Sequence, residues 1–419
     1  MFYLEDSYSR IEGFHTTWFI IMDITIYPRK LHGTIAAIPS KSQAHRLLIC
    51  AAFSDRPTTI VCPETNQDIE ATANCLRALG AEIDRKDGTY FVVPIKQIPT
   101  CAELDCSESG STLRFMLPIV GALGINGKFF LSGRLPDRPL SPLWEEMERM
   151  GCKLSRPAKN TLQCNGQLVS GHYKISGTVS SQYITGLLFA LSLLPGHSTL
   201  EIEGKLESKP YVNMTQQALD LFAVNTDMLH LGASYPFHSP GQICVEGDWS
   251  NAAFFCVAQY LGSELSITGL SDHSAQGDRA IATLLAALNE RPVIDAADIP
   301  DLVPILAVAA GAATGAVFKN IRRLRLKESD RVLTVINMLK QLGVSAYATD
   351  DVLFVEHGPY HGGTIDAASD HRIAMAAAIA STVADGPITI LGAQCVAKSY
   401  PAFWDEFRRL GGHYEQYIR

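Results

Sequence analysis

One phrase recurs along the chain and limits its fold more than any other feature. It is an amphipathic helix ending in Leu-Gly, or a near equivalent, followed at once by a short strand. It reads Cys75-Leu76-Arg77-Ala78-Leu79-Gly80 before Ala81-Glu82-Ile83, and returns at Met147-Glu148-Arg149-Met150-Gly151, Leu339-Lys340-Gln341-Leu342-Gly343 and Phe407-Arg408-Arg409-Leu410-Gly411. Weaker copies fall at Leu219-Asp220-Leu221-Phe222-Ala223 and Leu284-Leu285-Ala286-Ala287-Leu288. A glycine in the left-handed region stops a helix cheaply and returns the chain to a sheet. Copies lie roughly 55–70 residues apart, a spacing that suits a unit containing a βαβ crossover. Six units fill the 419 residues, and three per domain is the simplest division.

The halves meet without a long linker. Ser239-Pro240-Gly241-Gln242, before the strand Ile243 to Gly247, is one candidate crossing, and Ile38-Pro39 is the other. One domain is then discontinuous, residues 22–40 plus 244–419, and the other spans 41–243. Residues 1–21 lack periodicity, whereas Asp23 to Pro28 alternates like a first strand. Met22 is therefore expected to be the natural start, with 1–21 an extension, the alternative being an ordered N-terminal arm.

Composition removes several classes of function. The net charge is −8, from 35 Lys plus Arg against 43 Asp plus Glu, which argues against a nucleic-acid binder, since that needs a basic face. Any anionic ligand must be met by locally gathered cations. The ten cysteines include no CxxC, and the twelve histidines no HExxH, so neither a disulfide framework nor a metal site is expected, and buried free thiols are. Glu5 and Asp6 stand where a signal peptide would be basic, and the apolar run Trp18 to Met22 is far short of the ~20 residues that span a bilayer. A cytoplasmic protein with no membrane partner is expected. Gly121 to Lys128 has the wrong spacing for a P-loop, and Phe129 replaces the required Ser or Thr.

Polar residues cluster where helices are expected to begin: Ser40 to Arg46, Ser107 to Arg114, Ser180-Ser181-Gln182, Ser369 to Arg372, and Ala397 to Pro401 at the last helix. Singly, each reads as an N-cap. Caps do not call for Lys41, Arg46, Arg114, Arg372 and Lys398 beside them. A cation at a helix N-terminus opposes the macrodipole unless an anion lies between them. Five such starts point to converging anion sites, and Gly110 would let the backbone approach a phosphate closely. In the densest cationic run, Arg322 to Arg331, alternating Ile321, Leu324 and Leu326 suggest a strand. Lys327 and Arg331 would then share a face of the next helix.

Read in order, these segments resemble the 5-enolpyruvylshikimate-3-phosphate synthase family of enolpyruvyl transferases. The motifs are Pro39-Ser40-Lys41-Ser42 with Arg46, Gly110 to Arg114, Asp137-Arg138-Pro139, Val179 to Gln182, Ser208-Lys209-Pro210-Tyr211, Ile299-Pro300-Asp301, Lys327 to Arg331, Asp370-His371-Arg372 and Ala397-Lys398. The resemblance implies a two-domain inside-out α/β barrel, each domain three repeated βαβαββ-type units, hinged by two crossovers. It also implies transfer of the enolpyruvyl group of phosphoenolpyruvate to the 5-hydroxyl of shikimate 3-phosphate, on the shikimate pathway to chorismate and the aromatic amino acids. No cofactor or metal is implied, and a monomer is expected. By resemblance, Lys41, Ser42, Arg46, Ser180, Ser181, Gln182, Ser208, Asp301 and Lys327 hold shikimate 3-phosphate. Lys41, Gly110, Arg138, Gln182, Arg331, Arg372 and Lys398 hold phosphoenolpyruvate. Asp301 is the expected base on the 5-hydroxyl and Glu328 the expected proton donor, with Lys41 sharing in transfer. An N-cap role for Asp301 is compatible with this, and a Glu328 salt bridge to Lys327 or Arg331 is the less favoured reading.

The chain departs from the family in three places. The usual Pro-Gly-Ser-Lys-Ser lacks its glycine, Glu108 stands where Asn is common, and Arg323 occupies a position often Asn. Two alternatives have their own signatures. A UDP-N-acetylglucosamine enolpyruvyl transferase is expected to carry a cysteine in the loop before Arg138-Pro139, and none lies between Cys106 and Cys152. An inactive anion-binding scaffold is expected to have lost Asp301, Glu328 or a clamp residue, and all are present.

Overall fold

The computed structural model describes residues 21–224, 227, 231, 232 and 235–418. The expectation about residues 1–21 therefore falls, Ile21 apart, outside the described residues. The strand Met22–Tyr27 forms where the alternation placed it, with Ile24 and Ile26 buried. Twelve α-helices occur among the described residues: α1 (Lys41–Ala52), α2 (Gln67–Ala78), α3 (Gly110–Leu123), α4 (Leu143–Arg149), α5 (Ser181–Leu193), α6 (Lys209–Leu221), α7 (Trp249–Tyr260), α8 (Ile281–Ala287), α9 (Val303–Ala312), α10 (Arg331–Gln341), α11 (His371–Ala380) and α12 (Phe403–Arg409).

The recurrent phrase ends each time on a left-handed residue. Gly80, Gly151, Gly343 and Gly411 follow α2, α4, α10 and α12 with φ between 88° and 114°. The weaker copies reach the same region without glycine, at Ala223 (φ 55°) and, three residues later than read, at Arg291 (φ 48°). The four glycine-stopped copies each belong to a four-stranded sheet of one pattern, a parallel pair followed by two antiparallel strands. These sheets run Gln242–Cys244, Thr58–Val61, Thr89–Val93, Glu82–Lys86; Cys101–Asp105, Asn126–Phe130, Thr161–Gly166, Cys152–Ala158; Val293–Asp295, Ala316–Lys319, Val352–Val355, Ala346–Ala348; and Gly363–Asp366, Ile388–Leu391, Met22–Tyr27, His413–Ile418. The weaker copies accompany two-stranded parallel sheets, His172–Ser176 with Thr199–Glu203 and His32–Ala36 with Glu264–Thr268. Where the glycine stop is missing, the antiparallel return is missing too.

Buried apolar side chains gather into two cores, one from Ile24–Ile38 and Trp249–Tyr414, the other from Ala44–Phe237. This is a two-domain α/β fold with helices inside and sheets outside. α3 packs along α5 in one core and α9 along α11 in the other, and these helices are buried on nearly every face, as their apolar sequences require. The chain passes between the cores twice, side by side. Ser40 N donates to Glu246 O at 2.7 Å and Asp248 N to Ile38 O at 2.8 Å, around the Pro39–Gly247 bridge. The strand Gln242–Cys244 pairs with Thr58–Val61, so the second crossing lies at Glu246–Asp248, just past the expected break at 243/244.

All ten cysteines are free, but Cys101 and Cys244 are exposed, against the expectation of buried thiols. Cys101 occupies an outward position of its alternating strand. No helix among the described residues is long and apolar enough to cross a membrane.

Candidate active site

Helix starts from both domains face one another across a cleft. From one domain come the first two turns of α1 (Lys41, Ser42, Arg46) and α3 (Gly110, Ser111, Arg114) and the first turns of α5 (Ser181, Gln182) and α6 (Tyr211), with Ser180, Ser208 and Arg138 from the adjoining loops. From the other come Asp301, Arg323, Lys327 and Glu328, and the first residues of α10 (Arg331) and α11 (His371, Arg372). Ser40, Ser109, Ser180, Asp330 and Asp370 each accept a backbone N–H as N-caps, a contribution of typically ~1 kcal/mol per cap. Four of the five expected caps are present, the start before α12 having Ala402 as N-cap without a side-chain bond, and capping leaves the cations unexplained. Eight of them line the cleft against the carboxylates of Asp68, Asp301 and Glu328. A net-acidic protein has thus concentrated positive charge in one place, which suits ligands that carry several negative charges.

Most of this charge is cross-linked. Arg331, 1% exposed, donates to Asp370 at 2.8 Å, Asp301 at 2.6 Å and Glu328 at 2.6 Å. Asp301 also meets Arg372 at 3.1 Å, Lys327 at 3.4 Å and the Tyr211 hydroxyl at 3.2 Å. Burial favours the neutral acid, yet Arg372, Lys327 and Arg331 together hold the Asp301 carboxyl well below the usual range. Against the same burial, Arg331, Arg138 and Lys398 do this for Glu328. Burial pushes the Lys327 amine down to about 8 in spite of Asp301. For Lys41 burial also acts downward, but Asp68 at 2.8 Å outweighs it and the amine is raised. His371, with neither ring nitrogen bonded among the described residues, is held neutral by burial and then by Arg372.

The family model for EPSP synthase (3-phosphoshikimate 1-carboxyvinyltransferase) matches residues 26–293 and 288–407. The 3-phosphoshikimate 1-carboxyvinyltransferase of Clostridium kluyveri is 37% identical over 425 residues, covering 94% of this chain and 98% of that protein. That of Clostridium acetobutylicum is 37% identical, covering 93% and 97%. The chain belongs to the EPSP synthase family. Its fold is shared with EPSP synthase from Acinetobacter baumannii, at TM-score 0.77 and 23% identity over 94% of this chain and all of that one. The enolpyruvyl transferase NikO from Streptomyces tendae also shares it, at TM-score 0.72 and 18% identity over 96% and 100%.

Every residue that the resemblance singled out lines this cleft except Lys398, which lines an adjoining pocket with Glu108, Arg134, Arg138 and Glu328. Lys398 ends the 3-10 turn Ala393–Lys398 instead of opening the last helix, because Ser399 to Ala402 intervene before α12. The run Ile321–Leu326 is not a strand but the 3-10 turn Arg322–Leu326. Its buried pair, Ile321 and Leu324, follows the three-residue period, while Leu326, which strand alternation would bury, is 43% exposed. Lys327 therefore precedes α10 and shares no helix face with Arg331, although both reach Asp301. The salt bridge between Glu328 and Arg331, the less favoured reading, is present. Asp301 does not cap α9, whose N-cap is Leu302 without a side-chain bond. Arg46 stands in the cleft wall with bonds to Thr215, Thr185, Ser42 O and Tyr211 O.

The departures have partners. Glu108 accepts from Lys398 at 3.3 Å. Arg323 reaches across the cleft to Val179 O at 3.1 Å, the Ser208 hydroxyl at 3.0 Å and Glu207 at 3.3 Å. Sequence reasoning gave no role to Asp68, Tyr211 or Arg114. Arg114, a cation at a helix start and the last residue of the Gly110–Arg114 motif, donates to the Gln182 amide oxygen at 2.6 Å.

Proposed function

We propose that this cleft joins phosphoenolpyruvate to shikimate 3-phosphate, releasing phosphate and 5-enolpyruvylshikimate 3-phosphate on the route to chorismate. The chain is a transferase of this family, acting on small-molecule substrates. The observation that carries the assignment of residues is the meeting of Asp301 and Glu328 with the same cations, Arg331 above all. The two substrates bring two phosphates and two carboxylates, and a cation-rich cleft at helix N-termini matches them.

In this reading a proton from Glu328 goes to the methylene carbon of phosphoenolpyruvate, and the neighbouring carbon takes up positive charge. The 5-hydroxyl oxygen bonds to that carbon while its proton passes to Asp301. In the second half the carbon–oxygen bond to phosphate breaks, the new methyl group returns a proton to the Glu328 carboxylate, and the double bond re-forms. Arg331 and Arg372 take the phosphoenolpyruvate carboxylate. Lys41, the Gly110 backbone, Arg138 and Lys398 take its phosphate, with Gln182 facing both substrates. Ser42, Ser180, Ser181, Ser208 and Lys327 hold shikimate 3-phosphate. Without substrate, Asp301 and Glu328 neutralise the clamps and are held ionised and weakly basic. A substrate carboxylate on Arg331 and Arg372 competes for those cations, so both carboxyls become more basic: Glu328 can then carry the proton it donates, and Asp301, still ionised, becomes a stronger acceptor.

The two cores support a division into residues 22–40 plus 244–419 and 41–243, with the paired crossovers as hinge. A monomeric, cytoplasmic enzyme is part of this proposal. The alternative acceptor, UDP-N-acetylglucosamine, is disfavoured because no cysteine lines the cleft. The test is product analysis by nuclear magnetic resonance. Incubation with both substrates should convert the vinyl phosphate signals into those of an enolpyruvyl ether on shikimate 3-phosphate. Conversion with UDP-N-acetylglucosamine alone would sink the proposal.

A further inference from the structure

One buried acid beside the cleft has no part in the scheme above. Asp278 lies in the 3-10 turn Gly277–Ala280 and is 3% exposed. Its Oδ2 accepts the hydroxyl proton of Ser250, in the first turn of α7. Its Oδ1 is buried with no partner among the described residues. Ser250 Oγ in turn accepts from Arg372 Nη2 at 2.9 Å, and the same nitrogen donates to Asp301 Oδ2 at 3.1 Å. Arg372 Nη1 donates to the Asp301 backbone oxygen at 3.2 Å, and Nε has no partner. The guanidinium is therefore gripped on one side by Asp301 and on the other by a hydroxyl backed by a second carboxylate.

We propose that Asp278, acting through Ser250, is a positioning residue that fixes the Arg372 guanidinium for the carboxylate of phosphoenolpyruvate. The inference rests on the assignment of Arg372 to that carboxylate. A hydroxyl can accept from Arg372 in a fixed direction only while its own proton is committed elsewhere, and Asp278 commits it. Such backing matters once the Asp301 carboxylate turns to the 5-hydroxyl, because Ser250 is then the one side chain, beside the Asp301 backbone oxygen, that holds the buried arginine in place. The groups facing Asp278 are Asp301, Arg372, Asp248 and Tyr211. Burial, then the charge of Asp301, pushes the Asp278 carboxyl up to about 7. A third carboxylate, brought by the substrate, favours proton uptake by this pair.

The experiment is steady-state phosphate release by the full chain and by its Asp278→Asn, Ser250→Ala and Arg372→Gln variants, varying each substrate in turn and repeating across pH 5.5–9. Affinity for shikimate 3-phosphate alone is measured by calorimetry. Loss of one charge-assisted bond should raise KM for phosphoenolpyruvate ~10-fold in Asp278→Asn and in Ser250→Ala, with shikimate 3-phosphate affinity kept within about 2-fold. The near-neutral limb of kcat/KM for phosphoenolpyruvate should vanish in Asp278→Asn. Unchanged KM for phosphoenolpyruvate in Ser250→Ala, or equal weakening of both substrates, would overturn the relay even if Asp278→Asn failed to fold. Unchanged KM in Arg372→Gln would instead overturn the assignment of Arg372, and the relay with it.

Discussion

Arg331 donates to the Asp301 carboxylate at 2.6 Å, so the cation assigned to a substrate carboxylate is occupied by the acid assigned to take the acceptor's proton. The same guanidinium holds Glu328 at 2.6 Å. Binding of phosphoenolpyruvate and activation of both acids are then one electrostatic event, because a single arginine serves all three.

Replacing Glu328 by Gln should therefore remove the proton donor without breaking the site. Arg331 keeps Asp370 and Asp301, so it is not left as a lone buried charge, which would otherwise cost about 3–5 kcal/mol. Turnover should fall ~10²–10⁴-fold, with the melting temperature nearly unchanged. Turnover within ten-fold of the parent would remove Glu328 from the proton pathway.

The Lys327 amine, pushed down to about 8, carries its proton below that pH and loses it above. Asp301 then loses one of its three cations, and the site one of its anion clamps. Activity should decline as pH rises through about 8. In Lys327→Arg, whose guanidinium keeps its charge, any activity that is retained should persist to higher pH. An alkaline limb at the same pH in both proteins would assign it to another group.

Glu108 pairs with Lys398 at 3.3 Å at a partly exposed position, so on the proposed role of Lys398 it competes with the phosphate of phosphoenolpyruvate. Glu108→Gln should lower KM for phosphoenolpyruvate, by ~2–5-fold given the modest strength of exposed pairs. A rise in KM would mean that Glu108 supports Lys398 instead of occupying it.

Arg323 ties the two domains together through Val179, Ser208 and Glu207. Removing it as Arg323→Ala should favour opening, so that the free variant has a larger radius of gyration by X-ray scattering. Shikimate 3-phosphate should compact it again. Superimposable profiles of the free variant and parent would deny Arg323 any part in closure.

The chemistry of the site was legible where a residue acts from its own helix start. Lys41, Gly110 and Arg372 stand one or two residues inside caps that the sequence displays, and Ser180 is itself such a cap. The repeat was legible because a glycine must follow each helix that returns to a four-stranded sheet, as Gly80 and Gly343 do. The rest depends on neighbours that chain spacing does not reveal. Lys41 draws its counter-charge from Asp68 in another helix, Gln182 is held by Arg114 of α3, and Arg372 is backed by Asp278 from a polar loop. The Ile321–Leu326 turn was misread because apolar residues at both two- and three-residue spacing fit either structure. Only the core, which buries Ile321 and Leu324 but not Leu326, selects between them.

The most direct test of the account is phosphate release from phosphoenolpyruvate, followed continuously with and without shikimate 3-phosphate, in the parent and in Asp301→Ala. Release should require shikimate 3-phosphate and should fall ~10²-fold or more in the variant, as for loss of a general base. Release without shikimate 3-phosphate, or undiminished by Asp301→Ala, would contradict it.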